Sequence, residues 1–243
     1  MSGATKRLQI FAKIARAGLK QEDKMLKITW LGHSAVKIAG SKTVLIDPFI
    51  SGNPSAPYGI DRIGNVDAVF ITHYHGDHVG DAFAICKKTG ATLVAIHETA
   101  VEAQAHKITA EGMNIGGTVS VGGVKFNMVP ALHSAEKGAP AGVVIEIDGR
   151  RIYHAGDTGL TMEMKLIGEF FKPDLSFLPI GDRYTMGVTS AAKAVEFVQT
   201  RRVVPIHYNT FDLINSDPVA FKEKVGALAE VLILKPGEEY SLA

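Results

Sequence analysis

Seven histidine and aspartate residues stand directly behind apolar runs, and no other feature constrains the fold of this chain as much. His73, His75, Asp77 and His78 follow "DAVFIT", His133 follows "FNMVPAL", Asp157 follows "RIYHAG" and His207 follows "RVVPI". Short apolar runs rich in β-branched residues read as buried strands. Strands that end at one edge of their sheets would bring all seven side chains into one cleft. The stretch "ITHYHGDHVGD", residues 71–81, holds three of the chain's nine histidines. Histidine packs poorly in a core and solvates less readily than lysine or glutamate, so this density points to a shared chemical task.

The chain around these runs alternates between strand and helix signals. "KITWLG" and "AVKIAG" pair around a Gly-His-Ser turn, and "TVLID" ends at Pro48. Residues 49–64, with three glycines and two prolines, read as a long loop at the rim of the cleft that narrows access to it. A helix over about 80–89, the strand "TLVAI" and a helix over about 97–107 follow. "GTVSVGGVKFNMVPALHS" and "AGVVIEIDGRRIYHAGD" alternate with period two and carry Gly-Gly and Asp-Gly turns, the pattern of antiparallel hairpins. The last third reads as a helix at about 161–170, the strand "DLSFLPI", a helix from Thr189 to about 199, "RVVPIH", a helix from Asp217 and a last strand "EVLILKP". Strands flanked by helices at both ends of the chain favour an α/β sandwich of sheets covered by helices. With 46% hydrophobic residues there is material for a sizeable core, and no linker-like shift divides residues 25–243, which read as one domain.

Residues 1–24 differ. Lys6, Arg7, Lys13, Arg16, Lys20 and Lys24 are interspersed with Leu8, Phe11, Ile14 and Leu19 at roughly helical spacing. This basic extension reads as an amphipathic helix, packed on its own domain or a subunit partner or touching a membrane, and dispensable for chemistry. The net charge of +1 provides no global attraction for nucleic acid. No apolar run has the length of a membrane span, and the N-terminus lacks the apolar core of a secretory signal. The single cysteine, Cys86, excludes an intramolecular disulfide. A cytoplasmic, soluble protein is expected, as a monomer or a homo-oligomer.

Imidazole and carboxylate suit zinc, with manganese or iron as alternatives, and no softer thiolate is on offer. Seven ligands exceed the four of one tetrahedral zinc, so two divalent ions are expected, with Asp157 as the candidate bridge. "HYHGDH", "GDTG" and "HYNTF" together resemble the metallo-β-lactamase superfamily. More narrowly, "WLGHSAVKI", "LIDPFISGNP", "YTMGVTSAAKAVEF" and "VPIHYNTF" look like the UPF0173 group of metal-dependent hydrolases. That group is similar to ascorbate-6-phosphate lactonases and N-acylphosphatidylethanolamine phospholipases. The resemblance spans about residues 25–243 and implies an αββα sandwich of two mixed sheets with metals at one edge. It assigns His73, His75 and His133 to one ion, Asp77, His78 and His207 to the other, and Asp157 to both. Asp47 would prop the histidine loop.

The implied reaction is attack of activated water on a small ester, lactone or phosphodiester, with Asp77 orienting the nucleophile or protonating the leaving group. His33, in the "LGHS" turn, could contact substrate or an oxyanion, or could be a turn histidine bonded to its own backbone. Asp182, Arg183, Tyr184 and Thr185 follow the strand "SFLPI" and are candidate substrate contacts or ordinary rim residues; Arg183 suits an anionic group. His154 reads as structural. Two other classes carry related ligand sets. An RNA-processing nuclease needs a basic groove or an RNA-holding arm, and neither is visible. An iron oxidoreductase of the same superfamily remains, although the diiron reductases carry glutamate where this chain has His75.

Overall fold

Alternate side chains of a strand face opposite ways, so consecutive apolar residues in β3 (Thr43–Ile46) require cover on both sides. The computed structural model, which describes residues 25–243, supplies that cover; the basic helix expected within residues 1–24 lies outside the described residues. Val44 and Ile46 enter a core shared with Phe126, Met128, Val143 and Ile145 of a second sheet. Leu45 faces away, into a separate cluster with Val69, Leu93, Ile85, Cys86 and Ala103. The Phe70 and Phe126 rings stack across the inter-sheet space, 6.0 Å apart.

The first sheet has seven strands in the order β14-β1-β2-β3-β4-β5-β6. They are β1 (Leu26–Trp30), β2 (Val36–Ala39), β3, β4 (Ala68–Phe70), β5 (Thr92–Ile96), β6 (Ala110–Met113) and β14 (Glu239–Leu242). The second runs β13-β12-β11-β10-β9-β8-β7. Its strands are β7 (Thr118–Val121), β8 (Val124–Pro130), β9 (Ala141–Ile147), β10 (Arg150–His154), β11 (Leu175–Pro179), β12 (Arg202–Ile206) and β13 (Glu230–Val231). Helices α1 (Gly76–Val79), α2 (Ala82–Thr89) and α3 (His97–Ala105) belong to the first sheet's side. Helices α4 (Glu163–Phe171), α5 (Val188–Val198) and α6 (Pro218–Val225) bury Ile167, Val195 and Phe221 on the side of the second. This is an αββα sandwich of two mixed sheets.

Strand direction places the site. Because β1–β2 and β2–β3 are antiparallel and β3–β4 parallel, β1, β3 and β4 all run one way. The same reasoning aligns β8 with β10, β11 and β12. The segments bearing His33, Asp47 and residues 73–78 leave one end of the first sheet, and those bearing His133, Asp157 and His207 leave one end of the second.

Three departures from the sequence reading have local causes. The helix expected over about 80–89 forms as Ala82–Thr89, and a separate short helix, Gly76–Val79, precedes it without a sequence signal; Gly80 parts the two, turning the chain at φ +40°, where a Cβ would lie 2.6 Å from Phe49 Cα. β6 and β14 are not signalled by the sequence: "AEGM" lacks apolar alternation, "EYSL" alternates over only four residues, and both exist as edge strands paired to β5 and β1. Of "EVLILKP", only Glu230–Val231 forms a strand, paired with the start of β12. Among the described residues no helix is long and apolar enough to cross a membrane.

Candidate metal centre

Asp47 organises the site from below. It ends β3 in the left-handed region (φ +44°) and is fully buried. Its carboxylate accepts hydrogen bonds from Thr72 N (2.8 Å), Thr72 Oγ1 (2.6 Å) and His78 Nδ1 (2.8 Å). With Nδ1 donating to Asp47, the neutral form of His78 has its lone pair on Nε2. That nitrogen lies 3.4 Å from Asp157 Oδ1, and both atoms are buried without a hydrogen bond. Thr72 Oγ1, donating to Asp47, is left to accept from His73 Nδ1 at 3.0 Å, so His73 Nε2 also presents a lone pair. It faces His75 Nδ1 at 3.0 Å.

Asp157 joins the ligands from the two sheets. Gly156 turns at φ +62°, where a Cβ would lie 2.6 Å from Ala141 O, so only glycine lets the chain deliver Asp157 here. Asp157 Oδ2 is 3.0 Å from His207 Nε2 and 3.6 Å from His133 Nε2. Ligand atoms of His73, His75 and His133 lie within 4.8 Å of one another, as do those of His33, Asp77, His78 and His207, and those of His73, His78 and Asp157. The structure thus brings all seven expected ligands to one edge. Donors at about 2.0–2.1 Å around a tetrahedral zinc stand roughly 3.3 Å apart. The separations of 3.0, 3.4 and 3.6 Å and the orphaned buried atoms fit a metal.

His33 is tied in by both main chain and side chain. Its backbone is left-handed (φ +54°), its carbonyl accepts from His207 N at 3.0 Å and Trp30 Nε1 at 2.9 Å, and Nδ1 lies 3.0 Å from Thr210 Oγ1. Nε2 reaches Asp77 Oδ2 at 3.0 Å. Thr210 as donor to Nδ1 leaves Nε2–H to donate to Asp77. His154 is buried with Nε2 3.0 Å from Ser34 O, bracing the same turn. His33, Asp47 and His207 all have left-handed backbones, strain that the surrounding bonds hold at the site.

Burial decides which imidazoles stay neutral. It pulls His73 down to about 2, aided by the charge of His78. It pulls His33 down to about 4 against the hydrogen bond that His33 donates to Asp77. Burial also opposes the charged forms of His78 and Asp157. The carboxylates of Asp157 and Asp47 nevertheless raise His78 well above its usual value, and His207 and His78 hold Asp157 well below the carboxylate range. Carboxylates thus retain positive charge at the centre of the site, a demand that a divalent cation meets.

A cleft of about 470 Å³ lies over these residues, lined by His33, His75, Asp77, His133, Asp157 and His207 together with Ser134, Tyr184, Phe211, Leu213 and Ile214. Of the four candidate contacts after β11, only Tyr184 lines it. Arg183 is exposed, with its guanidinium carbon 5.7 Å from the Tyr184 ring centroid. Asp182 lines a separate depression with Gly187 and Lys193, and Thr185 Oγ1 bonds Met186 O at 3.3 Å. The loop at 49–64 also stays out of the cleft lining; Asp81 ties it down by accepting from Ile50 N and Ser51 N, and Phe49 meets the His33 ring edge-on. Sequence reasoning missed Thr210, Phe211 and Leu213; the run "HYNTFDLI" behind β12 was the signal available. A larger apolar groove of about 700 Å³, between residues 115–118 and α4, includes none of the ligands. Cys86 is buried, which pushes its thiol up to about 12, and it takes no part in the site.

A family model for the beta-lactamase superfamily domain matches residues 42–208. A UPF0173 metal-dependent hydrolase of Methanosarcina barkeri is 49% identical over 228 residues, covering 89% of this chain and 99% of that protein. Another, of Methanopyrus kandleri, is 50% identical over 229 residues, covering 88% and 99%. Among solved structures, Igni18, described as a novel metallo hydrolase from Ignicoccus hospitalis, superposes with a TM-score of 0.87 at 40% identity, covering 90% of this chain and 99% of that one.

Proposed function

The chain belongs to the UPF0173 metal-dependent hydrolases of the beta-lactamase superfamily, and from that premise we propose that it holds two divalent ions, zinc foremost, and hydrolyses a small ester, lactone or phosphodiester. The observation that carries the dinuclear reading is Asp157: Oδ2 lies 3.0 Å from His207 and 3.6 Å from His133, and Oδ1 3.4 Å from His78. One carboxylate therefore reaches donors of both groups. His73, His75 and His133 would hold one ion, and Asp77, His78 and His207 the other. When bound, such ions lower the pKa of a coordinated water and polarise the oxygen under attack.

The protein's own residues supply the rest. Asp77 lines the cleft with Oδ2 fixed by His33, which supports a role in orienting the nucleophile or passing its proton to the leaving group. His33 serves as a positioning residue for Asp77 rather than a direct oxyanion donor. The cleft volume suits a small molecule.

Metal analysis of protein saturated with zinc, followed by turnover assays on esters, lactones, phosphodiesters and short RNA, tests this reading. Two equivalents and hydrolysis of a small substrate are expected. One equivalent would sink the dinuclear site. Cleavage of RNA alone would replace the small-molecule hydrolase by a nuclease, and an iron-dependent colour with redox turnover would replace it by an oxidoreductase.

A further inference from the structure

The segment behind His207 holds two large apolar side chains in water. Phe211 is 43% exposed and Leu213 57%, and Tyr184, which lines the same cleft, is 52% exposed. The supporting loop is fixed: Asn209 N bonds Ile214 O at 3.0 Å, Ile214 N bonds Phe211 O at 3.0 Å, and Ser216 N bonds Asn209 Oδ1 at 2.8 Å. Ile214 anchors it, almost fully buried, and the Phe211 ring meets His33 at 5.7 Å. Apolar side chains presented on a braced loop beside a polar site form a contact surface rather than a frayed one. The polar lining consists of five of the candidate ligands and His33, plus Ser134 and the Tyr184 phenol; among the described residues no lysine or arginine lines the cleft.

We infer that this wall, built of Tyr184, Phe211 and Leu213, receives an uncharged hydrocarbon group next to the scissile bond, so that the substrate class is a neutral acyl or alkyl ester or lactone rather than an anionic one. This rests on the hydrolase reading above. It replaces the expectation drawn from Arg183, whose guanidinium carbon lies 5.7 Å from the Tyr184 ring centroid and which is not in the lining. Selection works by removing hydrocarbon from water, and a single methylene in such a pocket discriminates by about 10-fold or more.

The test uses the full chain saturated with zinc and two readouts. In calorimetry, hexanohydroxamate is expected to bind at least about 10-fold tighter than acetohydroxamate, with Phe211→Ala and Leu213→Ala each reducing that ratio severalfold. In turnover, the hexanoate ester of one leaving group is expected to exceed the acetate and the succinate monoester in kcat/KM. Leu213→Lys, which sets a cation in the wall, should shift preference toward the succinate monoester. Equal affinity for both hydroxamates, or a ratio that neither alanine variant changes, overturns the inference even if esters are cleaved. A hydroxamate preference erased by Phe211→Ala in a protein that cleaves no ester supports the wall while removing the ester reading itself.

Discussion

The two halves of the candidate metal centre draw on similar side chains, three imidazoles in one and two imidazoles with a carboxylate in the other, but differ in how they are braced. His73, His75 and His133 form an outer group. His75 and His133 are half-buried, and among the described residues their polar neighbours are other candidate ligands. The inner group, Asp77, His78 and His207, rests on buried partners: Asp47 fixes His78, His33 fixes Asp77, and the His33 carbonyl fixes the His207 backbone. Partners of this kind set ring orientation and basicity, so affinity should differ between positions that look alike by composition.

Asp157→Asn should have the largest effect, because it weakens the one group that reaches both halves. Metal content should fall at both positions and kcat by about a thousand-fold. Two tightly held equivalents in that variant would show that nothing is shared.

Splitting the halves comes next. His133→Ala should leave one ion that resists a competing chelator, whereas His78→Ala should leave only an ion that exchanges readily. The reverse order of chelator resistance would invert the comparison.

Asp47→Ala removes a brace and no ligand, and should weaken the inner position by about 10–100-fold in metal affinity. It acts on His78 directly and on His73 only through Thr72. Wild-type affinity at the inner position would falsify the bracing role.

A smaller change, about 10-fold in inner affinity, is expected from His33→Ala, with partial rescue by His33→Gln, which can still donate to Asp77. Cobalt substitution offers a second readout: the visible spectrum of the inner ion should shift while circular dichroism stays native. An unchanged spectrum would leave His33 as a turn residue only.

The smallest effect concerns pH. His33 falls from 6.5 to about 4 on folding, so the unfolded chain binds its proton first. Stability of the metal-free protein from this group is complete above 6.5 and is lost as pH falls toward 4. Between pH 7.5 and 6.0 the loss is about 1 kcal/mol, and His33→Gln should flatten that slope. Identical urea midpoint shifts in both proteins would assign the titration to another group.

How far the sequence could be read follows from the range of each interaction. The core strands are short continuous apolar runs, the hairpin strands alternate with period two, and "HYHGDH" sets four candidate ligands within six residues, so all are visible over a short stretch. β6 has no such pattern and β14 only four residues of one, and both are held by hydrogen bonds to their neighbours. Arg183 and the loop at 49–64 were placed at the cleft from sequence adjacency alone. Side-chain direction after a strand depends on how each turn packs, and Phe211 and Leu213 line the cleft where those residues do not.

By itself the sequence determined the sandwich of sheets and helices and pointed to the candidate ligands, because strand patterning and residue chemistry are local properties. The tertiary structure alone decided which group braces which. His33 meets Asp77 across 44 residues and Thr210 across 177, and Asp47 meets His78 across 31. Those separations close only when the two sheets stack with their ligand-bearing ends at one edge, a geometry set by the whole core and recorded in no short stretch of chain.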